Sequence, residues 1–198
     1  ILRGSDSGPN YDAASVSELR AAAQRSDEMV KLLHGSGIRI ERITRLVSEL
    51  NTRLFARLWS LLAPAELRAN SCLLVMGSEG RGEQILKTDQ DNALLIRDGF
   101  EWPGLDELAA RFNAALVELG YPPCPGDIML TNPVWRQPLA AFKATMRDWL
   151  YGGGGGTTGG FRCNAGFRFT TGPLPPQGAT IDDADFLVVA TNTTNDNL

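Results

Sequence analysis

The stretch from Cys72 to Ile96 restricts the fold more than any other part of the chain. Cys72-Leu-Leu-Val-Met76 is a continuous apolar run halted by Gly77, which predicts a strand buried on both faces. It runs directly into a glycine-rich turn, Gly77-Ser-Glu-Gly-Arg-Gly-Glu-Gln84, and a second strand is predicted from Asp91 to Ile96, closed by the turn signal Asp98-Gly99. Helical periodicity lies on both sides of this unit. Upstream, Ser15 and Glu18 form a capping-box pattern before Leu19, Ala22, Ala23, Met29, Val30 and Leu33, and Gly35 and Gly37 supply a stop. A second helix is predicted from Arg39 to Leu62, with Ile40, Ile43, Val47, Leu50, Leu54, Leu58 and Leu61 in one stripe and Pro64 ending it. These two helices form an expected antiparallel hairpin.

Downstream, Leu105, Leu108, Ala109, Phe112, Leu116 and Leu119 keep helical phase until Gly120. The proline-rich segment YPPCPGDIMLTNPVWRQ is irregular, and a further helix is expected from Pro138 to Leu150, burying Leu139, Phe142, Met146 and Leu150. The composition then changes. Gly152 to Gly156 are an unbroken glycine run, followed by an alternating pattern from Phe161 to Phe169 and a second strand pattern from Ala184 to Thr191. The expected organisation is a disordered lead-in at 1–14, a helical hairpin at 15–69, an α/β core at 70–150, a flexible linker at 151–160 and a partial β segment at 161–198.

Composition excludes several classes. With 43% hydrophobic and 21% charged residues in 198, the chain is too apolar to be disordered throughout. Nineteen Lys and Arg against 23 Asp and Glu give a net charge of −4, which argues against a nucleic-acid partner. No stretch approaches the roughly 18 apolar residues of a membrane span, and Ile1 to Asn10 lack the apolar centre of a signal peptide, so a soluble, cytoplasmic protein is expected. The start at Ile1 in place of Met fits a fragment or a processed chain. Cys72, Cys124 and Cys163 are odd in number and widely spaced, which predicts reduced thiols and no disulfide framework.

The candidate chemistry lies in the glycine turn and the aspartates that follow it. On an extended backbone residues i and i+2 face one side, so Asp89 and Asp91 converge and repel unless a cation lies between them. Mg²⁺, or Mn²⁺, suits a carboxylate pair that also receives substrate phosphates. Gly77, Ser78 and Gly80 let backbone amides approach those phosphates, and Arg81 adds a cation. The order G-x-x-G-x-G is not the dinucleotide fingerprint, and no GK[ST] follows, so a Walker A site is excluded.

The strings GSEGRGEQILKTDQDNALL and GYPPCPGDIMLTNPVWRQPL resemble the nucleotidyltransferase domains found beside CBS and cyclic-nucleotide-binding domains in bacterial signal-transduction proteins, relatives of the PII-protein uridylyltransferase. The resemblance runs from Ser15 to Leu150. It implies a polymerase-beta-like fold in which Gly77 and Ser78 hold a nucleoside triphosphate and Asp89 and Asp91 hold metal ions, with a regulatory protein or a small molecule as acceptor. Members of that family usually continue beyond the helix ending near Leu150 into a strand with an FFDxR-like string, where a third carboxylate is expected. A glycine run stands there instead, so the core is expected to be incomplete at its C-terminal end. The tail GFRFTTGPLPPQGATIDDADFLVV is similar to the opening of extracellular bacterial β-sandwich modules. Three readings follow: a nucleotidyltransferase, a nucleotide-sensing module without turnover, and a non-native fusion fragment.

Other residues carry blander expectations. His34 suits the C-terminal end of the first helix as a cation. Cys124 is expected to be a small buried hydrophobe and Asp127 a turn residue. Trp135 and Arg136 fit either stacking on a base or anchoring of their loop. The sequon Asn192-Thr-Thr194 is of a kind that arises easily in a Thr-rich tail.

Overall fold

Ser15 takes an extended conformation and its side chain accepts from the Glu18 amide (3.3 Å), which starts helix α1, Val16–Gly35. The Glu18 carboxylate accepts in return from the Ala14 amide (2.8 Å). Gly37, at φ 77°, turns the chain into α2, Ile40–Leu62, and Pro64 follows its end. A short helix α3, Ala65–Ala69, leads into strand β1, Ser71–Val75. The structure, a computed structural model, describes residues 14–151 and Arg168–Phe169. Most of the expected lead-in, the linker and the tail, with Cys163, the strand pattern from Ala184 and the sequon at Asn192, lie outside the described residues.

The glycine-rich segment expected as a turn is in part a one-turn helix, α4, Gly77–Arg81. Strand β2 is Asn92–Ile96, α5 is Leu105–Glu118, and a 3₁₀ turn at Pro133–Trp135 precedes β3, Arg136–Pro138, and α6, Leu139–Tyr151. Gly120 closes α5 as expected, at φ 97°: its amide donates to Val117 O (3.0 Å) and the Tyr121 amide to Leu116 O (3.0 Å), the paired bonds of a Schellman end.

The sheet has the order β3-β2-β1-β4, where β4 is Arg168–Phe169. β1 and β2 are antiparallel, from Ser71 opposite Ile96 to Val75 opposite Asn92. β3 lies parallel to β2, and β4 pairs antiparallel with β1 at Leu74 and Val75. Both faces of the central pair are covered, as the apolar run predicts. Leu73, Val75, Leu94 and Ile96 face a core shared with Leu54, Leu58 and Trp59 of α2 and Phe112 of α5. The alternate residues Leu74, Met76, Ala93 and Leu95 face Trp135, Phe142 and Met146. The architecture is α/β, with one sheet between helical layers.

Candidate functional site

Val75 and Asn92 are partners at the end of the β1–β2 ladder, so α4 and the stretch from Asp89 to Asp91 leave the sheet side by side. The Met76 amide continues the pairing by donating to Asp91 O (2.9 Å). Gly77 then turns at φ 62°, and a Cβ built there would lie 2.0 Å from Asp91 Oδ2. Only a residue without a side chain lets the backbone pass so close to that carboxylate.

Asp89 and Asp91, both partly buried, converge as the i, i+2 spacing predicts. A third group joins them: one carboxylate oxygen of each and the Cys124 sulfur all lie within 4.8 Å of one another. Burial holds the Asp91 carboxyl above the ordinary carboxylate range; a hydrogen bond from Cys124 opposes this, the Asp89 charge adds to it and Arg81 opposes it. Burial, and then the hydrogen bond to Asp91, push the Cys124 thiol up to about 11. Asp91 Oδ1 is buried and meets no hydrogen-bond donor of ordinary geometry among the described residues. Two converging carboxylates and one unsatisfied buried oxygen fit a divalent cation.

The glycine turn is bolted in place. The first intrahelical bond of α4 runs from the Gly80 amide to Met76 O (2.9 Å), so that amide is committed to the helix, while those of Gly77 and Ser78 precede it. Gly80 is buried within α4. The Ser78 hydroxyl lies 3.3 Å from Thr88 Oγ1. Buried Glu79 accepts from Asn51 Nδ2 of α2 (2.9 Å) and, with the Gln84 amide turned to satisfy its neighbours, from Gln84 (2.5 Å). Arg81, expected to be a cation for phosphate, forms an ion pair with Glu83 (2.7 Å) while still acting on Asp91 through its charge. Lys87 pairs with Asp27 of α1 (2.7 Å) and lies over the Tyr121 ring. The helical hairpin thus grips both ends of the segment between the glycine turn and the aspartates. A cleft of about 620 Å³ opens beside it, between α2 and the Arg81–Ile85 stretch, and neither aspartate lines it.

What brings Cys124 to the aspartates is a set of buried amides. Asn92 Oδ1 accepts from the Leu130 amide (2.9 Å), Asn113 Oδ1 from the Thr131 amide (3.2 Å), and Gln90 Nε2 donates to Tyr121 O (3.2 Å). The three side chains also bond one another, through Asn113 Nδ2 to Gln90 Oε1 (2.5 Å) and to Asn92 Oδ1 (3.1 Å). Backbone bonds from Gln90 to Pro122 O and from Asn92 to Ile128 O complete the seam (2.9 Å each). Sequence reasoning missed this network; the signal that could have found it was Asn113, a polar residue on the apolar stripe of α5 one turn after Ala109. Asn113→Ala leaves the Thr131 amide without its partner and removes the Asn113 bonds to Gln90 and Asn92, so it is expected to lower stability by about 1–3 kcal/mol. Urea unfolding checks this, and a loss no larger than that of an exposed alanine substitution on the same helix contradicts it.

Asp127, at φ 54°, is exposed and stands outside the group formed by Asp89, Asp91 and Cys124, consistent with a turn residue. Trp135 and Arg136 anchor their loop: Trp135 is buried against Phe142, and Arg136 pairs with Asp106. His34 lies in the last turn of α1. Cys72 and Cys124 are free thiols. No helix among the described residues is long and apolar enough to cross a membrane.

Residues 24–155 match the family model described as "Putative nucleotidyltransferase DUF294". No curated protein and no solved structure matches the chain. The family match spans more than half of the chain and contains the glycine turn, both aspartates and the Cys124 loop; the chain belongs to the DUF294 family of nucleotidyltransferases.

Proposed function

We propose that this chain transfers a nucleoside monophosphate from a nucleoside triphosphate to a hydroxyl of a protein or small-molecule acceptor, in the manner of a uridylyltransferase. The observation that carries this reading is the convergence of Asp89 and Asp91, with Asp91 against the Gly77 backbone where β1 ends and β2 begins. Asp89 and Asp91 would hold Mg²⁺ or Mn²⁺. A divalent ion there supplies positive charge for the polyphosphate and lowers the pKa of the acceptor hydroxyl. The amides of Gly77 and Ser78 approach the phosphates, and the charge of Arg81 orients them. The acceptor oxygen bonds to the α-phosphorus, the bond to the β-phosphate bridging oxygen breaks, pyrophosphate leaves and the hydroxyl proton passes to solvent. The parent protein would be a bacterial, cytoplasmic signalling protein with CBS or cyclic-nucleotide-binding domains and a regulatory protein as acceptor.

A second reading is favoured by one observation: the third member of the group is Cys124, where a carboxylate would help fix a second ion. On that reading the pocket senses a nucleotide without turnover. Mg²⁺-nucleotide titration run beside transfer of α-labelled UTP and ATP separates the two. Binding with transfer supports the enzyme, binding alone supports the sensor, and absence of binding overturns both.

A further inference from the structure

Cys124 changes what the aspartate pair can bind. Cys124 is only 8% exposed, and the loop that carries it is fastened on both sides by the Gln90, Asn92 and Asn113 amides. The sulfur lies within 4.8 Å of carboxylate oxygens of both Asp89 and Asp91. The neighbouring Asp91 Oδ1 is buried without a donor among the described residues, an atom that a cation would satisfy. An all-oxygen set suits Mg²⁺; one thiolate beside two carboxylates suits Zn²⁺ or Cd²⁺, and leaves a fourth tetrahedral position open.

We propose that Asp89, Asp91 and Cys124 form a thiophilic cation site overlapping the magnesium position, so that Zn²⁺ bound through the Cys124 sulfur displaces Mg²⁺ and regulates the pocket. The inference rests on the assignment of Asp89 and Asp91 as the metal-binding pair. On binding, the metal–sulfur bond replaces the S–H bond and the proton leaves to solvent, with no change of oxidation state.

The test is optical titration of the full chain, metal-free, with Co²⁺ and with Cd²⁺. A thiolate-to-metal charge-transfer band is expected, saturating at one ion per chain and bleached by Zn²⁺. Cys124→Ser should abolish the band and lower Cd²⁺ affinity at least about tenfold, since loss of even a supporting residue of a metal site costs that much. Asp91→Asn, which keeps the thiol, should weaken Cd²⁺ binding by a similar factor and so tests the site even where the serine variant does not fold. A folded wild-type chain without the band overturns the proposal, as does a band that persists in Cys124→Ser, which would assign it to another cysteine. A band that behaves as expected in a chain that binds no nucleotide leaves the cation site standing and removes the nucleotidyltransferase reading. Nucleotide binding without the band does the reverse.

Discussion

Asp89→Asn and Asp91→Asn are each expected to lower nucleotidyl transfer by about 100-fold to 1,000-fold, the usual loss when one group stabilising transition-state charge is removed. Mg²⁺-dependent nucleotide binding should fall with it. The Asp91 change carries a second expectation of opposite sign. Its carboxyl is held above the ordinary range mainly by burial, so the native state binds the proton more tightly than the unfolded chain does. Such a group costs stability as pH rises from the ordinary carboxylate value through the raised one, and the full cost is present at neutral pH. Asn carries no charge and escapes it. Metal-free Asp91→Asn should therefore melt above the wild type at pH 7, and the gap should close once the pH falls below the ordinary carboxylate range. Saturating Mg²⁺-nucleotide should reverse the order, because only the wild type is stabilised by binding. Thermal scans with and without Mg²⁺-nucleotide at both pH values measure all of this. A variant that melts below the wild type without metal at pH 7 would falsify the account of Asp91 as a strained ligand.

The same contrast between local pattern and remote contact separates what was legible in the sequence from what was not. Helix limits were legible because their signals are local: Ser15 with Glu18, Gly37, Pro64 and Gly120 each act within a few residues. The two-sided burial of β1 was legible because no polar residue interrupts Cys72 to Met76. The convergence of Asp89 and Asp91 followed from strand geometry alone. β3 was not legible, since Arg136–Pro138 has no strand pattern and exists by lying parallel to β2, some forty residues earlier in the chain. Cys124 reads in sequence as a buried apolar group because its burial is real and its partners stand more than thirty residues away. The choice between stacking and anchoring at Trp135 and Arg136 likewise depended on Phe142 and Asp106. The strand pattern that ends at Phe169 has its last two residues paired with β1, a placement that no periodicity encodes.

Gly77→Ala is expected to damage the site far more than the same change at Gly99 does. Two effects coincide at Gly77. At φ 62° an L-residue carries backbone strain of roughly 1–3 kcal/mol. The new Cβ would also stand 2.0 Å from Asp91 Oδ2, with the carboxylate carbon at 3.1 Å, so the side chain must leave its position. Asp91 is short and partly buried, and its own carbonyl is tied to the Met76 amide, which leaves little freedom for it to move without breaking the convergence with Asp89 and Cys124. Gly99 provides the control: it has φ 78°, but a Cβ added there would meet nothing within 4 Å, so Gly99→Ala reports strain alone. Both variants should unfold at lower urea concentration, Gly77→Ala by the larger amount because the clash adds to the strain. Only Gly77→Ala should also lose Mg²⁺-nucleotide binding, by at least about tenfold, as expected when a metal ligand is displaced. Equal nucleotide affinity in the two variants would mean that the carboxylate pressed against Gly77 plays no part in binding, and that Asp91 belongs to the packing of the turn.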